Sequence, residues 1–284
     1  GAGDADALRS VEIATGQAAY ATPTQWQAGG YRGDILTPGF PAVVHAGDTT
    51  TVELTLHNPT GAAYPIELRD VTLQRVHEIS FTTTLGPGVD WLPLPNSLVD
   101  ISDLIDEYDP DLINAHVMFP LSEFDLVNDY FEDNTVQALY YDWTDLNGDG
   151  DLWEDLNGDG LVDPEEIDVS GELGGSEINR INNAYATTNY QMADIGRDVL
   201  SRRHDGVFFG LKRSFGSDDL EVTVTLILYE KADWSWLTLS STEVDVPAGD
   251  TTAVTATLAV PDDSRPGVYE GSIEVDGQVI PVIA

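Results

Sequence analysis

The chain has 284 residues, enough for one large domain or two of ordinary size, and it carries 50 acidic against 12 basic side chains, a net charge of −38. A surface this negative repels phosphate backbones and acidic membrane faces, which excludes nucleic-acid binding as a function class. With 42 % hydrophobic residues the chain is apolar enough to bury a core, and the complete lack of cysteine excludes thiol catalysis, Cys-ligated zinc and disulfides.

In chain order, "DADALRSVEIAT" (4–15) is predicted as a short helix, with Asp4 or Asp6 as its cap and Leu8, Val11 and Ile13 as an incomplete apolar stripe. A Gly/Pro-rich connection, "TPTQWQAGGYRGDILTPGFP", follows. From about residue 41 the pattern becomes alternating: "TTTVELTLHNP" places Val52, Leu54 and Leu56 on one face. Further strand-like runs are "YPIELRDVTLQRV", "AHVMFPL", "TVQALYYDW", "NAYATTNYQMADI", "GVFFGLKRS" and "LEVTVTLILYE", separated by turn clusters of Gly, Pro, Asn and Asp. Only "SLVDISDLIDEY" and "GRDVLSRR" read as further helices, and both are short. The expected fold is therefore mainly β, with few short helices. No run of 18 apolar residues occurs, so no membrane insertion is expected. The opening "GAGDADALRS" has neither a basic nor an apolar leader region, which implies a removed signal peptide or a piece of something longer.

An internal echo bears on domain organisation. "AVVHAGDTTTVELTLHNP" (42–59) aligns without gaps to "VDVPAGDTTAVTATLAVP" (244–261), with ten of eighteen positions identical. Each copy reads as a glycine turn, at Gly47 and Gly249, followed by a strand rich in β-branched residues. Convergence on a common turn is one explanation. The other is two related β-sandwich units of immunoglobulin, fibronectin type III or jelly-roll kind. The expected boundaries are then a short helix and linker over 1–22, a large sandwich over 23–232 with an insertion at about 142–178, and a small sandwich over 233–284.

The insertion contains "DLNGDGDLWEDLNGDG" (145–160), six carboxylates and two asparagines in sixteen residues. The bland reading is a solvated acidic loop in an acidic protein. A twelve-position calcium template, however, fits the second half completely. Asp155, Asn157, Asp159, Asp163 and Glu166 stand at positions 1, 3, 5, 9 and 12, Gly160 makes the sharp turn at position 6, and Leu161 offers its carbonyl at position 7. The first copy supplies Asp145, Asn147 and Asp149, with the carbonyl of Asp151 as a candidate, but Leu156 at its last position cannot coordinate. A second ion there would have to borrow Asp155 or Glu154, or a group outside the loop. Carboxylates this close repel one another unless cations or protons intervene, and an all-oxygen, flexible donor set suits Ca2+ better than Mg2+. Because "ALYYDW" before the loop is strand-like and "GELGGSE" after it reads as loop rather than helix, the ion is expected to be structural, with Trp143 and Trp153 bracketing the loop.

No catalytic constellation stands out. His45, His57, His77, His116 and His204 are scattered, and there is no G-x-S-x-G elbow, S-x-x-K or Gly-rich phosphate loop. His204, in "SRRHDG", is the one histidine with charged neighbours, and a polar turn whose arginines pair with the acidic surface accounts for it.

Three stretches resemble the subtilisin-like serine proteases, and together they touch about half the chain. "GAGDADALRSV" resembles the segment closing the catalytic domain. "ALYYDWTDLNGDGDLWEDLNGDG", with "SEINRINNAY" and "RHDGVFFGL", looks like the non-catalytic region that follows it in large secreted archaeal and bacterial members. "WLTLSSTEVDVPAGDTTAVTATLAVPDDSRPGVYEGSIEV" is similar to their downstream fibronectin type III or immunoglobulin-like modules. No Asp-Ser/Thr-Gly strand, His-Gly-Thr-His or Gly-Thr-Ser-Met-Ala motif occurs, so no triad residue transfers. The resemblance implies a non-catalytic, calcium-stabilised extracellular region, with its own catalytic domain upstream as partner. Two other classes stay open: a filament or surface-layer subunit self-assembling through strand edges, and a carbohydrate-binding module using Trp91, Trp234 and Trp236.

Overall fold

The computed structural model describes residues 7–30, 43–87, 99–123, 135–145, 176–185, 189–216 and 218–284. It is mainly β. Helix α1 (Ala7–Ala14) precedes strands β1 (Tyr20–Thr22), β2 (Trp26–Gln27), β3 (Thr49–His57) and the long β4 (Tyr64–Leu85). Then come β5 (Val99–Asp100), α2 (Ser102–Tyr108), β6 (Leu112–Met118), a 3-10 turn (Leu121–Glu123), β7 (Thr135–Asp145), β8 (Ser176–Tyr185), β9 (Tyr190–Gly196) and α3 (Arg197–Leu200). The chain continues through β10 (Gly206–Phe215), β11 (Leu220–Ala232), β12 (Leu237–Leu239), β13 (Glu243–Val246), β14 (Thr251–Ala259), β15 (Glu270–Val275) and β16 (Gln278–Ile283). None of the helices among the described residues is long and apolar enough to cross a membrane.

The chain divides into two compact units, but not at the boundaries expected from sequence. One unit is discontinuous, Gly1–Leu73 with Lys231–Ala284, and the other is Gln74–Glu230. The expected breaks at 22/23 and 232/233 treat the chain as consecutive beads. Pairing decides otherwise, because the early strands β2 and β3 find their partners, β16 and β14, in the last fifty residues.

In the discontinuous unit one sheet runs β1-β3-β14-β12, and the other runs β2-β16-β15 to the first half of β4, with β13 on β4's opposite edge. Their inner faces share one core, in which Leu54, Leu56, Ile66, Ala256, Ile273 and Val282 are fully buried. Each such leucine, isoleucine or valine contributes about 1.5–3 kcal/mol on leaving water. Gly271 of β15 lies beneath the Trp234 indole: a Cβ there would come 2.4 Å from Trp234 Cε3 and 2.7 Å from the Val71 carbonyl oxygen. Gly271→Ala is therefore expected to displace the indole at a cost of about 1–3 kcal/mol. Urea unfolding followed by tryptophan emission checks this, and an unchanged midpoint with unchanged emission would refute it.

The echo has a structural meaning that differs from two repeated units. Its copies are neighbours in one sheet: β3 and β14 pair antiparallel from Thr49↔Ala259 to His57↔Thr251. Equivalent residues differ by 202 in number, so Glu53 faces its own counterpart Thr255, and a local pseudo-twofold axis passes between them. The turns obey it too. Asp48 N donates to His45 O (3.0 Å) and Asp250 N to Pro247 O (3.2 Å), with Gly47 (φ 83°) and Gly249 (φ 69°) at the third position, the left-handed site of a type II turn. Each turn also receives the far end of the partner strand, as Val260 N donates to Asp48 O and Asn58 N to Asp250 O, both at 3.0 Å.

In the second unit, β5-β10-β7-β8 forms one sheet, and the second half of β4 with β11, β6 and β9 forms the other. Strict alternation along β11 sends Leu220, Val222, Val224, Leu226 and Leu228 into the core, against Val207, Phe209 and Leu211 of β10. Tyr140 of β7 reaches across to donate to the Ala193 carbonyl (3.3 Å), and burial pushes its hydroxyl pKa up.

Candidate metal centre

The acidic loop hangs from the β7–β8 hairpin. These strands pair antiparallel from Gln137↔Tyr185 to Asp145↔Ser176, with a register shift between Tyr140 and Tyr141 that leaves Ile181 as an extra residue on β8. The chain thus leaves a single paired position at residue 146 and returns to it at 175. Both flanks are strands, as expected for the leading flank; the trailing "GELGGSE" enters β8 at Ser176. Of the expected ligands, Asp145 is the last residue of β7. Asn147, Asp149, Asp151, Asp155, Asn157, Asp159, Leu161, Asp163 and Glu166 lie outside the described residues, as does Trp153.

What is described is the root from which the loop springs, and it is rigidly built. Trp143, opposite Gly206 of β10, is buried with Leu139, Tyr141 and Phe208, and Tyr141 stacks on Phe208 at 4.8 Å between ring centres. A Cβ on Gly206 would come 2.1 Å from Trp143 Nε1, so only glycine admits the indole. On the other face of β7 the Asp142 carboxylate is buried and accepts from the His204 backbone N–H (2.8 Å) and meets His204 Nδ1 at 2.5 Å. Asp205 N adds a bond to Trp143 O at 3.1 Å. The strand end that carries Asp145 is therefore tied to the 204–206 turn by side chain and backbone together.

The arginines around His204 behave as the polar-turn reading expects. Arg202 pairs with Asp198 at 3.0 Å, Arg203 pairs with Asp106, and Arg197 bridges Asp109 (2.9 Å) and Asp111 (2.8 Å). Hydrogen bonding to Asp109 pushes the Arg197 pKa up, with both aspartates adding to it. The buried partner, Asp142, is the residue that sequence reasoning missed: it lies 62 positions from His204, in a run with no feature that marks it.

Among the described residues no three His, Asp or Glu side chains come together as a ligand set. The aromatic residues offered for a carbohydrate site divide. Trp91 lies outside the described residues; Trp234 is buried in the core, with its backbone N–H donating to Asp70 Oδ2 (2.8 Å); Trp236 is half-buried between Trp234 and Tyr269. No family model matches the chain, and no curated protein matches it either.

Proposed function

We propose that this chain is a non-catalytic, calcium-stabilised β-sandwich region of a secreted or cell-surface protein, of the kind that follows the catalytic domain in subtilisin-like proteases. One observation carries the reading: a complete twelve-position oxygen-donor set, Asp155 to Glu166, within a connection whose ends meet at the pair Asp145↔Ser176. Holding so acidic a segment in one shape requires a source of free energy. Closing and ordering it costs conformational entropy, and its carboxylates repel one another; a divalent ion offsets both. The donor chemistry fits Ca2+, with Glu166 as the bidentate closing ligand and Gly160 at the turn. The described flanks, β7 and β8, are strands, which suits a staple rather than a helix-pair sensor.

Isothermal titration with Ca2+, paired with thermal unfolding in calcium and in EDTA, tests this. At calcium one hundred times Kd, linkage stabilises the folded state by about 2.7 kcal/mol, or about 5–10 °C for a domain of this size. Asp159→Asn and Glu166→Gln are each expected to weaken binding at least about tenfold. Unchanged affinity and melting temperature in both variants would refute the site.

A further inference from the structure

The chain contains two methionines, and the fold brings both to one exposed sheet face beside a histidine. Strands β6 and β9 pair from Leu112↔Gly196 to Met118↔Tyr190, so His116 faces Met192 directly and Met118 follows two residues along. Ile113, Ala115, Val117, Ala193 and Ile195 fill the core face, which leaves His116, Met118, Tyr190 and Met192 on the other. Met118 and Met192 are each 51 % exposed, so neither serves as core filler. The backbone bond from Phe119 N to Asn189 O sets the alternation of the ladder. His116↔Met192 and Met118↔Tyr190 are accordingly the non-hydrogen-bonded pairs, in which Cα atoms approach to about 4.5 Å and side chains come closest.

The histidine is already oriented. Its Nδ1 hydrogen-bonds the Tyr190 hydroxyl, with the two rings 5.8 Å apart and inclined at 54°. Nothing among the described residues bonds to His116 Nε2. In the tautomer whose Nδ1–H donates to the tyrosine oxygen, Nε2 carries the lone pair, which is the arrangement by which outer partners orient metal-binding imidazoles. The diagonal from Met118 to Met192 is about 7–8 Å between strand positions, within the combined reach of two long unbranched thioether side chains.

We propose that His116 Nε2, Met118 Sδ and Met192 Sδ form a binding site for a soft monovalent metal ion of the copper(I) class. Thioether sulfur and imidazole select such ions over hard cations. No thiol competes, because the chain has no cysteine, and its fifty carboxylates are hard donors with little claim on a soft ion. The site is thus chemically orthogonal to the calcium loop and independent of it.

The probe is silver(I), a redox-inert, diamagnetic soft ion, added to calcium-loaded protein in chloride-free buffer. Methyl-13C methionine labelling yields two resonances, one per methionine. Both are expected to shift together and saturate at one equivalent of silver, while added Ca2+ leaves them in place. His116→Gln and Met192→Leu are each expected to weaken silver binding at least about tenfold. Leucine for an exposed methionine conserves volume, and circular dichroism checks that the fold is kept. Resonances that stay still at one equivalent, that titrate with separate midpoints, or that respond equally in His116→Gln would overturn the proposal.

Discussion

Replacing Arg213 with methionine is expected to destabilise the unit of residues 74–230 by about 2–4 kcal/mol. Arg213 is 1 % exposed, the largest side chain to be so fully buried among the described residues, and it sits near the end of β10. Its Nη1 group donates to the carbonyls of Leu85 (3.1 Å), Gly86 (2.7 Å) and Asp218 (2.5 Å), drawing together the end of β4 and the chain before β11. Desolvation pushes its pKa down, and the neighbouring Asp219 and Asp218 charges oppose that shift. Methionine fills much of the volume but offers no donor. The Leu85 bond is buried, so that carbonyl would lose its guanidinium partner without ready access to water, at about 1–3 kcal/mol, with smaller losses at the two half-buried carbonyls. Arg213→Lys keeps the charge but not the planar fork, and should recover only part of the loss. Urea midpoints for the three proteins decide this: equal midpoints for wild type and the methionine variant would show that the guanidinium is dispensable.

The second large effect is expected at Asn58, which is 1 % exposed and uses both ends of its amide. Nδ2 donates to the carbonyls of Ala62 (2.8 Å), Val246 (2.8 Å) and Pro247 (3.1 Å), and Oδ1 accepts from Thr60 N (3.0 Å) and Thr60 Oγ1 (2.6 Å). The side chain thereby joins the exit of β3 to the end of β13, elements 188 positions apart. Asn58→Ala leaves those carbonyls and the Thr60 donors without this partner, for a loss of about 2–4 kcal/mol. Asn58→Asp is nearly isosteric yet worse, because it sets a buried carboxylate against three carbonyl oxygens. The expected order of stability is wild type, then the alanine variant, then the aspartate variant. An aspartate variant more stable than the alanine variant at neutral pH would contradict the donor assignment.

Much of the fold is legible where local periodicity is clean. Leu54 and Leu56 fall inward as alternation requires, and the unbroken alternation of β11 reads directly from "LEVTVTLILYE". The short helices of "DADALRSVEIAT", "SLVDISDLIDEY" and "GRDVLSRR" are all present, as Ala7–Ala14, Ser102–Tyr108 and Arg197–Leu200. β4 is longer than its apolar pattern suggests. Beyond residue 76 its alternation is carried by Ile79 and Phe81 between His, Glu, Ser and Thr, which mutes the contrast between faces. Trp234, offered by the sequence for a carbohydrate site, is covered by the glycine strand at Gly271, a contact between distant segments.

By itself the sequence determined the mainly β class, the two glycine turns at Gly47 and Gly249, and the donor pattern from Asp155 to Glu166. Each of these depends on residues within about a dozen positions of one another, so spacing and residue type suffice. Only the tertiary structure decided that the two AGDTT copies face each other across one sheet, that one unit is assembled from both ends of the chain, that Asp142 holds His204, and that His116 stands beside both methionines. Strand partners are chosen by which faces bury together and in which register, and a one-residue slip would turn every one of those side chains to the opposite face. That choice is made between segments far apart in the chain, where no local pattern records it.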